Sequence, residues 1–446
     1  MTTKAGFVSF GFYGYPKEYC ESRAKEANEA VQGLGIETVY ADPVVTSEDV
    51  GRAVRQLKAD DFTFLIACVT TWTESPNVVG VLREFFHKPI LLWGLGGRTE
   101  EGRLVSPAAQ AGTSALREPL EAMGAKFKFI YDWPDAPMNL EAVKDFASVA
   151  ETIDRLAHSR IGLVGYADMG LYTTMFDGLS LRSKIGPEVE SFDMLEITQR
   201  MGKIGEKAVS TLVAEMKENW AFEQPIGEEA LNTLARLYIA VKDKVDERNY
   251  VAFSPKCVYG ISRYMGITPC LVLSKLADEI DCICECDVLG LVTQMMERFL
   301  TGQATTFMEH YEFMEDRLLV GVCGYAPLSF VEGKITVRGH GWGGFSGIVL
   351  TSHLKEGRLT LARLSSRGER YRMHIATGQG VRPRRWEELG WAPPAPRFPA
   401  FEVILDGGVE DFAKNVSGQH YAVVYGEHSE KLTELCRLLG VEVIRT

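Results

Sequence analysis

Residues 281–313 read DCICECDVLGLVTQMMERFLTGQATTFMEHYEF. The apolar and thiol side chains of the first six suit a buried strand. Asp287 stands where a helix N-cap belongs. Behind it, Val288, Leu291, Val292, Met295, Met296 and Phe299 recur at spacings of three and four, one face of a helix. Gly302 sits at the expected C-cap. Residues 304–313 return to a strand pattern. The stretch is therefore expected to form a strand–helix–strand crossover within a parallel α/β sheet. That geometry would put Glu285 at the carboxyl end of the first strand and Glu309 near the same end of the second. Open α/β sheets place their ligand sites along that edge.

Two carboxylates that converge repel, and one is forced toward its protonated form. A divalent cation resolves the conflict and uses both charges. Hard oxygen donors suit Mg²⁺ or Mn²⁺, and one added imidazole shifts the preference toward Mn²⁺. The blander alternative stays open: two acids at exposed strand ends, each with its own cap or cation.

Upstream, the same alternation repeats. GFVSFGF (6–12), ETVYA (37–41), DFTFLIACV (61–69) and PILLWG (89–94) read as strands, separated by helical patterns at 17–34, 47–59 and 75–87. Residues 139–158 form an amphipathic helix, and a second α/β unit is expected to start at RIGLVGYADMG (160–170). Helical patterns follow near 197–220, 227–245 and 268–279. Beyond about residue 316 the texture becomes strand-rich, until a last helix–strand–helix–strand stretch. The fold expected is α/β: two doubly wound, Rossmann-like domains (1–158 and 159–316), then a β-rich, barrel-like C-terminal domain (317–446). APPAPRFPA (392–400) reads as an extended connector.

Composition narrows the function classes. The 446 residues carry 48 Lys plus Arg against 60 Asp plus Glu, a formal charge of −12. That argues against a general nucleic-acid binder, which shows a basic footprint. No stretch approaches the ~18–20 apolar residues of a membrane span. MTTKAGFVSFGFYGYP lacks a signal-peptide apolar core, and the nine cysteines are an odd, scattered set, so a cytoplasmic location with reduced thiols is expected.

Several segments resemble the L-fucose/L-arabinose isomerase superfamily, in family order over most of the chain. CECDVLG (284–290) is similar to the segment in which a glutamate precedes an aspartate and opens a helix. LTGQATTFMEHYEF (300–313) resembles the following LTG segment, with FMEHY closest to the arabinose isomerase form. SPKCVYGISRYMGITPCLVLSKLAD (254–278) resembles the upstream Lys-Cys segment, DFTFLIACVTTW (61–72) an N-terminal strand with its tryptophan, and GQHYAVVYGEHSEKLTELCRLLGVEV (418–443) the segment bearing the family's metal-binding histidine. The resemblance implies metal ligation by Glu285, Glu309 and His420, and Mn²⁺ as cofactor, with Mg²⁺ or Co²⁺ as alternatives. It also implies proton transfer through a cis-enediol of an open-chain sugar, with Glu285 and Glu309 as the catalytic pair. A homo-oligomer, hexamer or tetramer, with active sites near subunit interfaces is expected too. Substrates in view are L-fucose, D-arabinose, L-arabinose or the sulfonated hexose sulfoquinovose. Fucose isomerases usually carry aspartate where this chain has Glu309, and the chain is short for either main branch, which bears on the sugar. The competing classes are a non-catalytic sugar-binding protein and a metal-dependent aldolase or epimerase using the same enediolate.

Other residues carry two readings each. RGHGWGGFSG (338–347) formally contains GxGxxG, but FSGIVLTSHL reads as strand where the dinucleotide fingerprint needs a helix. A turn bringing His340 and Trp342 to sugar competes with a plain β-hairpin. Trp72 and Trp93 would stack on a sugar or pack in a core. Cys282, Cys284 and Cys286 lack zinc spacing and read as buried thiols. His310 is expected to be structural. VRPRRW (381–386) reads as a solvated basic face or an anion clamp; Arg160, Arg338 and Arg382 qualify by chemistry for a sulfonate. Lys256 matches the Lys-Cys segment without an assignable role.

Overall fold

The computed structural model describes residues 3–342, 345–368, 370–384 and 398–446. The connector at 392–400 falls largely outside them, and Arg385 and Trp386 of the basic cluster wholly so. The chain divides into two compact units, Met1–Asp154 and Arg155–Thr446.

The first unit is built on a five-stranded parallel sheet. Its strands lie in the order Glu37–Val44, Lys4–Phe10, Phe64–Val69, Ile90–Gly94 and Phe127–Tyr131. Every residue of Phe64–Val69 is buried. A strand covered on both faces needs an unbroken apolar run, which is what LIACV supplies. The helix Ser47–Leu57 opens with a reciprocal capping box between Thr46 and Asp49.

The second unit contains a four-stranded parallel sheet in the order Asp281–Cys282, Ala252–Pro255, Arg160–Val164 and Glu188–Phe192. Beside it in sequence runs a closed six-stranded barrel. It passes from Gly357–Arg367 through His420–Tyr425, Thr306–Phe313, Leu318–Gly321, Ala400–Leu405 and Arg370–Val381, then back to Gly357–Arg367. Glu442–Arg445 adds a parallel strand outside the ring. A barrel this small is filled by side chains, here including Met308, Val320, Leu361, Phe401 and Val423, all fully buried. The β-rich C-terminal expectation is met. Among the described residues, no helix is long and apolar enough to cross a membrane.

Three expectations are corrected. The helical pattern at 197–220 splits into Met194–Met201 and Glu206–Asn219, because Gly202 and Gly205 interrupt it. The strand expected over 281–286 stops at Cys282. Glu285 (φ 63°) and Cys286 (φ 57°) instead adopt the left-handed conformation of a tight turn. The turn looked like strand because every residue from Asp281 to Asp287 is buried. Finally, Thr306–Phe313 does not rejoin the parallel sheet. It enters the barrel, antiparallel to both Leu318–Gly321 and His420–Tyr425. An eight-residue β pattern is satisfied by either kind of neighbour, so periodicity alone cannot choose.

The helix Val288–Thr301 packs between these layers and is buried almost throughout. Glu297 lies on it with both carboxylate oxygens buried and without a hydrogen-bond partner. Burial, reinforced by the nearby Asp281 carboxylate, pushes Glu297 well above the usual carboxylate range, so the folded protein holds it neutral. Unfolded, it ionises above about pH 4.3. Its contribution to stability is therefore present below that pH and is lost as pH rises toward the folded-state value. Glu297→Gln, which mimics the protonated acid, is expected to raise the melting temperature at pH 8 and to change it little at pH 4.5. Each kcal/mol should appear as roughly 2–4 °C. A pH-independent difference would contradict the assignment.

Candidate metal and active site

Glu285 owes its position to the turn after Asp281–Cys282. That turn is held by Cys286 N donating to Pro255 O (3.3 Å) and by Ser254 Oγ donating to Ile283 O (3.0 Å). Left-handed backbone at two consecutive non-glycine residues costs of order 1–3 kcal/mol each, and the surrounding hydrogen bonds hold it. Glu309 and His420 are direct cross-strand partners in the barrel wall. The turn and the wall bring the three side chains together: one ligand atom from each of Glu285, Glu309 and His420 lies within 4.8 Å of the others. His420 Nε2 is 3.5 Å from Glu285 Oε2 and 3.4 Å from Glu309 Oε1.

Asp287 completes the arrangement. Its Oδ1 accepts from Gly290 N at 3.0 Å, the helix cap read from the sequence. Its Oδ2 lies 2.9 Å from His420 Nδ1 and also receives the Arg363 guanidinium. With Nδ1–H donating to Asp287, Nε2 faces the two glutamates, and on losing its proton it turns a lone pair toward them. That atom is buried and has no hydrogen-bond partner. Carboxylate–imidazole pairs of this kind orient metal-binding histidines.

The electrostatics agree. Although burial opposes it, Asp287 and Glu309 raise the His420 imidazole up to about 10. Burial and the Glu309 charge push Glu285 up, with His420 opposing. Against burial, Arg363 and His420 hold Asp287 well below the usual carboxylate range. The cluster thus demands positive charge at its centre. Two carboxylates and one imidazole nitrogen fit a hard or borderline divalent cation.

Three contributors escaped the sequence reading. Arg363 is fully buried and shares its strand face with Leu359 and Leu361; a charge on an apolar face was the available signal. Gln419 Nε2 donates to Glu285 Oε2 at 3.4 Å, while its Oε1 accepts from Thr173 Oγ1. Asp168, also buried, accepts from Val258 N (2.7 Å) and Tyr259 N (2.9 Å). No sequence pattern marked these two.

The remaining candidates distribute as follows. Trp72 belongs to the first unit, where it is 40% exposed and stands edge-on to Phe12. Trp93 is buried, its Nε1 donating to Asp132 at 2.9 Å. His340 and Trp342 lie on the hairpin strand Ile335–Trp342, but their side chains fall outside the described residues. Phe345–Leu350 is a strand, where the dinucleotide fingerprint needs a helix. His310 is half-buried, its ring packed against Phe412 and Tyr421 with both ring nitrogens buried, and that burial lowers it to about 3. Cys282, Cys284 and Cys286 are buried free thiols. Arg382 pairs with Glu332.

No protein-family model matches the chain. Curated relatives do. A sulfoquinovose isomerase of Priestia aryabhattai is 21% identical over 455 residues, covering 99% of both chains, and one of Priestia megaterium matches equally. A sulfoquinovose isomerase of Alkalicoccus urumqiensis is 23% identical over 376 residues, 80% of each chain.

Proposed function

We propose that this protein is a divalent-metal-dependent aldose–ketose isomerase that moves a proton between C1 and C2 of an open-chain sugar, with sulfoquinovose as substrate. The coarser part stands on the relatives: the chain is an enzyme, a sugar isomerase. The observation that carries the finer part is the convergence of Glu285, Glu309 and an unpartnered, buried His420 Nε2. The segment order shared with the L-fucose/L-arabinose isomerase superfamily supports the same reading.

A bound cation, Mn²⁺ or else Mg²⁺ or Co²⁺, would supply Lewis-acid polarisation of the two sugar oxygens. Glu285 and Glu309 share the carbon-bound and hydroxyl protons, a duty that contributes roughly 10²–10⁴-fold. Asp287 keeps the Nδ1 proton on His420, and Arg363 keeps Asp287 ionised. Gln419 holds one Glu285 oxygen and leaves the other free for proton transfer. Assembly as a homo-oligomer and a cytoplasmic location belong to this reading and rest on the resemblance and the sequence.

Turnover of sulfoquinovose is expected to vanish with chelator and to return with Mn²⁺. In D₂O, solvent deuterium should enter C1 or C2. Chelator-insensitive turnover would refute metal dependence, and complete retention of the substrate hydrogen would replace proton transfer with a hydride shift.

A further inference from the structure

In the four-stranded sheet the chain runs from Arg160–Val164 outward to Glu188–Phe192, then crosses to Ala252–Pro255 on the other side. The strand order therefore reverses between Arg160–Val164 and Ala252–Pro255. Ligands in open α/β sheets bind in the crevice outside the carboxyl ends of the strands at such a reversal. Gly165 is the first residue past one strand, and Lys256 the first past the other.

Lys256 is fixed there from several sides. Its N–H donates to Val164 O at 2.8 Å. It precedes the π-helical turn Cys257–Ser262, a backbone form that concentrates at functional sites. Asp168 ties that turn to the neighbouring loop through Val258 N and Tyr259 N, so its charge is already engaged. The lysine stem threads between two glycines. A Cβ on Gly165 (φ +90°) would lie 2.6 Å from Lys256 Cβ, and one on Gly260 would lie 2.9 Å from Lys256 Cγ. Bare backbone on both sides is what lets the stem pass and restricts where its ammonium points.

The Lys256 side chain is half-buried, and among the described residues its ammonium has no hydrogen bond or ion pair. It borders the metal-type cluster, because the Cys286 N to Pro255 O bond joins the Glu285 turn to the residue just before Lys256. The other candidate cations are elsewhere. Arg160 opens its strand, which puts it at the amino edge, opposite the Glu285 turn. Arg363 is neutralised by Asp287, and Arg382 by Glu332. Arg338 belongs to the hairpin Ile335–Trp342, outside this sheet.

We propose that Lys256 is the cation that receives the sulfonate of a 6-sulfo hexose while the glutamates and His420 face its C1 and C2. The assignment rests on the isomerase reading for its substrate. It makes Lys256 a specificity residue and gives the crevice two ends: a carboxylate end for the reacting carbons and an ammonium end for the anionic tail.

The test compares wild type, Lys256→Met and Lys256→Arg, with Mn²⁺ present, on sulfoquinovose and on D-glucose, its counterpart with a C6 hydroxyl. The ratio of kcat/KM for the sulfonated over the hydroxylated sugar is expected to fall roughly 10- to 100-fold in Lys256→Met. The loss should reside in KM, and Lys256→Arg should restore most of it. Calorimetry with the reduced, non-isomerisable sulfonated hexitol supplies a readout free of turnover. Its affinity should drop by a similar factor in Lys256→Met, and in wild type should weaken as salt rises. An unchanged ratio, an equal loss on both sugars, or a loss confined to kcat overturns the assignment while leaving the isomerase reading standing. Hexitol binding that depends on Lys256 without any turnover upholds the assignment and sinks the isomerase reading. Absence of both binding and turnover overturns both.

Discussion

Glu285→Gln is expected to lower kcat on sulfoquinovose by roughly 10²–10⁴-fold while the fold survives. Glutamine keeps the shape and the left-handed turn but neither takes up a proton nor offers a charged ligand. Glu285 is nearly buried and shares its space with the Glu309 carboxylate and His420. Removing its charge from the metal-free protein relieves repulsion with Glu309, the interaction that, with burial, pushes Glu285 upward. The melting temperature of the metal-free variant should therefore stay level or rise, while the Mn²⁺-induced increase in melting temperature shrinks. Near-normal turnover would remove Glu285 from the centre of the mechanism.

Arg363→Met should produce the largest loss of stability, about 3–5 kcal/mol. Arg363 and Asp287 are both fully buried, and Arg363 Nη2 also donates to Thr173 O at 2.9 Å. Methionine fills much of the volume but strands the Asp287 carboxylate without its cation. In wild type the depressed Asp287 value contributes stability that is present above the ordinary carboxylate range and is lost as pH falls through the folded-state value. In the variant that contribution disappears, so the deficit measured by urea unfolding should be large at pH 7, persist down to about pH 4 and shrink only below it, as pH falls toward the depressed folded-state value. Adding Asp287→Asn should recover part of the stability, because an orphaned amide is less costly than an orphaned charge. It should not recover activity, since His420 then lacks its anionic anchor. A deficit below about 1 kcal/mol, of the size of an exposed ion pair, would show that the pair does not behave as buried.

Much of the site was legible because its local signals are strong. Asp287 before a three–four apolar spacing and Gly302 after it bound one helix, and the structure places that helix at Val288–Thr301 with both caps as read. His420 was reached only through resemblance, since 110 residues of chain lie between it and Glu309 and no periodicity links them. Their juxtaposition is a barrel register, Glu309 opposite His420. The crossover argument aimed Glu285 and Glu309 at one another for a reason the fold does not use. They converge because a turn at the edge of one sheet faces the wall of a different one.

The same division runs through the whole protein. Local patterning determined where helices and most strands lie, because side-chain period and caps act within a few residues. It also determined that a β-rich part follows an α/β part. Which strands pair was decided only in three dimensions, where a strand such as Thr306–Phe313 accepts any neighbour that covers its faces and completes its hydrogen bonds. The orphaned Nε2 of His420, the buried Arg363 behind Asp287 and the glycine-flanked Lys256 are all consequences of that pairing. Each depends on what surrounds a side chain, and no stretch of sequence contains its own surroundings.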